Sequence, residues 1–124
     1  MKQFYNSSDP KIHKFADRSA VNTCIQGTGA EVTRIAIVKV HKALSDLGVT
    51  RKEAWLAMQI HDELMYAIRD EVIKDLAPVI AENMAFKVKS WPVQLTVGAK
   101  IGQVWGLQKE IKMEDIKEWE KLIT

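Results

Sequence analysis

The sequence predicts an α+β fold, with a β-hairpin plus a C-terminal strand in an antiparallel sheet packed against about three helices. Three observations predict it. Apolar residues recur at helical spacing from Ala30 to Leu47 and again from Glu71 to Ala85. Two short apolar runs, Ala54 to Ile60 and Leu64 to Ile68, flank the polar residues His61, Asp62 and Glu63, the pattern of a hairpin. Val93, Leu95 and Val97 alternate with Gln94 and Thr96, as in a strand with one buried face.

Taken in order, Met1 to Pro10 is turn-rich and reads as an irregular lead-in. Asp9 before Pro10 predicts a helix start, with Asp as the cap and Pro at the first helical position. That helix is expected to reach about Ile25, where Gly27 and Gly29 interrupt it. Thr28 is expected to cap a second helix from Ala30 to Leu47, closed by Gly48. Asp70 is placed as the cap of a third helix, from about Glu71 to Ala85, with Pro78 its weak point. Gly98 to Gly106 is expected as a loop and Glu114 to Leu122 as a short terminal helix. In the latter, Ile116, Trp119, Leu122 and Ile123 share one apolar face, suited to docking.

With 124 residues the chain suits one small domain with a modest core. A net charge of +2, with basic residues spread along the chain, does not by itself announce a nucleic-acid binder. The lone Cys24 excludes an intramolecular disulfide and a cysteine-rich zinc site, and a reducing intracellular, cytoplasmic setting is expected. No apolar run is long enough to span a bilayer.

Two constellations could carry chemistry. In Gln59-Ile60-His61-Asp62-Glu63-Leu64, ionisable residues interrupt the most apolar stretch of the chain. Acids there cost stability unless something compensates, and a divalent cation bound by carboxylate oxygens does so. A turn that is simply polar accounts for the same residues. Arg18, Asn22 and Gln26, spaced by four, share one helical face and can all donate hydrogen bonds, either along a nucleic-acid groove or only to solvent.

Together these segments resemble family A DNA polymerases of the bacterial and phage polymerase I type. The pattern is Arg18-x3-Asn22-x3-Gln26-Gly27-Thr28, a helix, then Gln59-x-His61-Asp62-Glu63-Leu64. Asn6-Ser7 and Phe15-Ala16-Asp17-Arg18 extend it to the left, and Gly98 and Trp105-Gly106 to the right. The resemblance implies the C-terminal segment of an incomplete polymerase palm over residues 16–111, between a lead-in, 1–15, and a helical tail, 112–124. It implies Asp62 and Glu63 as catalytic and metal-binding residues, Glu63 the less direct of the two, serving Mg²⁺ in a two-metal site. Such a site activates the primer 3′-hydroxyl and holds the triphosphate. His61 is expected near the primer 3′ end, and Arg18, Asn22 and Gln26 on primer–template DNA. Minor-groove acceptors are present at every base pair, so such donors can check pair geometry without reading sequence.

The sequence departs from the family pattern at several places. Gly29 and Glu31 stand where alanine and aspartate are usual, and residues 99–104 separate Gly98 from Trp105 more widely than usual. The strand carrying the family's other essential aspartate has no counterpart; Asp9, Asp17, Glu31, Asp46 and Glu53 lie in turn, helix or loop contexts. The fingers helix that holds the incoming dNTP is missing too. One carboxylate motif does not hold two metals, so the chain alone is expected to be inactive. Another polypeptide is expected to supply the remaining palm, fingers and thumb, as in a split polymerase, or the chain to self-associate through an exposed sheet edge. A trimmed fragment or degenerate remnant is the alternative within this class. Outside it stand a non-catalytic DNA-binding or complex-forming module and an unrelated metal-dependent hydrolase.

Overall fold

The computed structural model of the protein describes residues 9–123. Of the lead-in expected over Met1 to Pro10, Met1 to Ser8 lie outside the described residues, as does the side chain of Ile123. The chain divides into two units, Met1–Arg34 and Ile35–Thr124.

Helix α1, Pro10–Asp46, begins in the first unit and ends in the second. Its start follows the expected chemistry: Asp9 Oδ1 accepts the Lys11 N–H at 2.9 Å, and the Asp9 carbonyl accepts those of Ile12 and His13. The break expected at Gly27 and Gly29 does not occur. Both glycines lie inside α1, and Thr28 caps nothing; its hydroxyl donates to the Cys24 carbonyl at 3.0 Å. A helical glycine costs about 1 kcal/mol relative to alanine but leaves the hydrogen-bond ladder intact, so two glycines weaken a helix without ending it.

In the second unit α1 ends on Gly48, whose φ of 73° places it in the left-handed region. Gly48 N–H donates to the Ser45 carbonyl and Val49 N–H to that of Leu44, each at 3.0 Å. These two bonds form a Schellman motif, which glycine enters without a Cβ penalty.

Strands β1, Ala54–Ile60, and β2, Glu63–Ile68, form the expected hairpin, with Ala54 opposite Ile68 and Ile60 opposite Glu63. The register shifts between Leu56 and Met58, so Ala57 is the extra residue of a bulge. A short 3-10 turn, Asp70–Val72, leads into α2, Ile73–Met84. Asp70 is the first residue of that turn and makes no capping hydrogen bond, contrary to expectation. Val40 and Leu44 of α1, Ala54 of β1, and Leu76 and Ile80 of α2 form the main core, with Tyr66 and Ile68 packed against it.

The strand expected over Val93 to Val97 is not formed. Its apolar alternation is present, but no segment among the described residues pairs with it, and alternation without a ladder partner leaves backbone groups unpaired. The expected sheet of hairpin plus C-terminal strand is therefore replaced by two separate two-stranded antiparallel sheets. The second joins β3, Ala99–Ile101, to β4, Lys109–Ile111, inside and beyond the span expected to be a loop. The tail forms a 3-10 segment, Met113–Glu118, and a one-turn helix α3, Trp119–Ile123. Ile116 and Trp119 face inward, closing a second core with Ile73 and Ile111. The architecture is α+β, with three α-helices and two small sheets among the described residues.

Candidate functional site

The hairpin tip follows from its register. Because Ile60 faces Glu63, only His61 and Asp62 remain to turn the chain. Two-residue hairpin loops need positive φ to match the twist of the strands. His61 supplies it at φ 52°, a conformation costing a residue with a Cβ roughly 1–2 kcal/mol. Gln59 Nε2 reaches back to the His61 carbonyl at 3.5 Å.

His61, Asp62 and Glu63 are all exposed. The Asp62 carboxylate has no hydrogen-bond or ion-pair partner among the described residues. Glu63, already in β2, has one: its Oε1 lies 3.7 Å from Lys100 Nζ on β3. Alternation along β2 places Tyr66 and Ile68 on the core face and Glu63 on the other. Burial on that core face pushes the Tyr66 phenol up to about 12.

In the other unit, Arg18, Asn22 and Gln26 lie on α1 and are all exposed, as their spacing predicts. Arg18 Nε donates to the Lys14 carbonyl at 3.3 Å. Arg18 and Asn22 border a shallow depression floored by the apolar side chains of Val21 and Ile25. Those two remain 61% and 65% exposed, so the face is amphipathic rather than simply solvated.

The fit to a metal ion is partial. No three His, Cys, Asp or Glu side chains converge among the described residues. Asp62 offers one open carboxylate, while Glu63 is engaged by an ammonium. The chain's own residues therefore do not form a closed cation site.

Other residues singled out by type stand as follows. Cys24 is exposed and its thiol is free, and Trp55 and Trp105 are 43% and 62% exposed. Trp119 is instead core, 3% exposed. Lys100 was not identified from the sequence. No helix among the described residues is long and apolar enough to cross a membrane.

Comparison with known proteins gives a consistent answer. The family model for DNA polymerase family A matches residues 2–107, which includes the helix bearing Arg18, the whole hairpin and β3. The chain is 34% identical over 102 residues to DNA polymerase I of Rhizobium leguminosarum, covering 80% of this chain and 10% of that protein. It is 33% identical over 112 residues to DNA polymerase theta of Drosophila melanogaster, covering 87% and 5%. Against DNA polymerase I of Chloroflexus aurantiacus it is 31% identical over 98 residues, covering 79% and 10%. The chain thus spans a tenth or less of the length of these curated relatives, and it belongs to DNA polymerase family A.

Proposed function

We propose that the chain is the C-terminal palm portion of a DNA-directed DNA polymerase, inactive without the rest of the enzyme on another chain. The observation that carries this reading is the open Asp62 carboxylate at the tip of a tightly paired hairpin, in a chain of this family. Asp62 is the catalytic carboxylate, one ligand of a Mg²⁺ site whose remaining ligands come from elsewhere; Mg²⁺ supplies Lewis-acid stabilisation of the transferring phosphoryl group. A bulged hairpin with fixed register suits this task, because small displacements of a positioned group cost much rate.

His61 sits beside Asp62 in the same turn, suited to the primer terminus. The donor row serves the duplex. Arg18 to Gln26 spans about 12 Å along a helix at 1.5 Å per residue, roughly the length of three to four stacked base pairs. Exposed donors at that spacing suit minor-groove acceptors.

The test is a tagged pull-down assayed for primer extension, with wild type and Asp62→Ala side by side. Extension by wild type and a loss of at least about a hundredfold in the variant, with equal partner recovery, is the expected result. Equal extension by the two would refute a catalytic Asp62. It would favour a non-catalytic DNA-binding or complex-forming module, a reading that the exposed donor row also suits.

A further inference from the structure

We infer that Lys100 is a positioning residue that holds Glu63 as its counter-ion and so keeps Glu63 from binding a cation beside Asp62. This rests on the reading of Asp62 given above. Lys100 Nζ lies 3.7 Å from Glu63 Oε1, and the pair joins β3 of one sheet to the first residue of β2 in the other.

Three features of the molecule carry the inference. First, Lys100 lies on β3, whose ladder to β4 fixes Lys100 opposite Glu110. Second, β4 is tied down by Ile111, which is 8% exposed and packs with Ile73, Ile116 and Trp119. The ammonium is therefore presented from an anchored strand. Third, Asp62 has no such partner among the described residues, so the two adjacent acids differ in what they can do.

An ammonium and a divalent cation compete for the same carboxylate oxygens. Both partners are more than half exposed, so the pair contributes little to global stability. Its consequence is local: it decides which carboxylate is open. Asp62 is the ligand, and Glu63 orients the strand beneath it.

The test uses the full chain and NMR, in two arms. In the first, without metal, amide shifts of residues 60–65 are compared for wild type, Lys100→Gln, Glu63→Gln and the double variant. A pair predicts that Lys100→Gln moves these amides in wild type but not in the Glu63→Gln background. Additive shifts would overturn the inference. The second arm titrates Mn²⁺ and follows line broadening at the hairpin. Wild type is expected to broaden around Asp62, and Lys100→Gln to bind about twofold to fivefold tighter, with Lys100→Arg matching wild type. Unchanged affinity in Lys100→Gln would also overturn the inference. Failure of the underlying reading looks different: Asp62→Asn would then leave the Mn²⁺ response intact.

Discussion

Trp119 lies beyond the region matched by the family model, yet the structure makes it one of the most buried side chains, 3% exposed against Ile73, Ile111 and Ile116. Replacing it with alanine removes roughly 200 Å² of buried surface. At about 25 cal/mol per Å² this is about 5 kcal/mol, and aromatic-to-alanine truncations in cores cost about 3–5 kcal/mol. A chain of this length has roughly 6–18 kcal/mol of total stability, so the loss is a large fraction. Trp119 Nε1 is buried without a hydrogen-bond partner among the described residues. Phenylalanine removes that donor, whose isolation costs about 1–3 kcal/mol, while keeping most of the ring. Trp119→Phe is thus expected to stay within about 1.5 kcal/mol of wild type. Urea unfolding followed by far-UV circular dichroism measures both, since four tryptophans would confuse fluorescence. Trp119→Ala should lower the midpoint by about 1 M or more. A Trp119→Ala midpoint close to wild type would refute the packing argument, and Trp119→Phe as damaging as alanine would refute the account of the indole nitrogen.

Two further outcomes follow from local geometry and ionisation. Gly48→Ala places a Cβ on a left-handed residue at φ 73°, and thermal unfolding should show a loss of about 1–2 kcal/mol even though the Cβ itself meets open space. Tyr66 has its folded pKa raised from 10.0 to about 12, so the unfolded chain releases this proton first. The stability it contributes is complete below pH 10 and is lost as pH rises toward 12; ultraviolet titration of the phenol, folded against unfolded, measures the window.

The elements that sequence reasoning placed correctly are those settled within a few residues. Asp9 caps α1, Gly48 ends it, and the polar interruption expected over His61, Asp62 and Glu63 holds the turn, at His61 and Asp62, with Glu63 already in β2. Each depends on one side chain or one backbone angle. Gly27 and Gly29 misled because their cost is local while continuation of the helix is cooperative. Val93 to Val97 misled for the opposite reason: a strand is a relation between segments, and alternation specifies only one of them. The candidate site divides in the same way. The exposure of Asp62 and the row formed by Arg18, Asn22 and Gln26 could be read from spacing, as could the family, because motif order is a property of the chain.

What the sequence by itself determined is therefore the α+β class, the cap at Asp9, the stop at Gly48, the presence of the hairpin and the family. The tertiary structure alone decided that the tail folds back to bury Trp119, that the sheet is two sheets, and that Glu63 meets Lys100 while Asp62 stays open. The physical reason is distance along the chain. Caps and turns are closed by neighbours, whereas Glu63 and Lys100 meet only after β2 and β3 have been anchored against separate parts of the core.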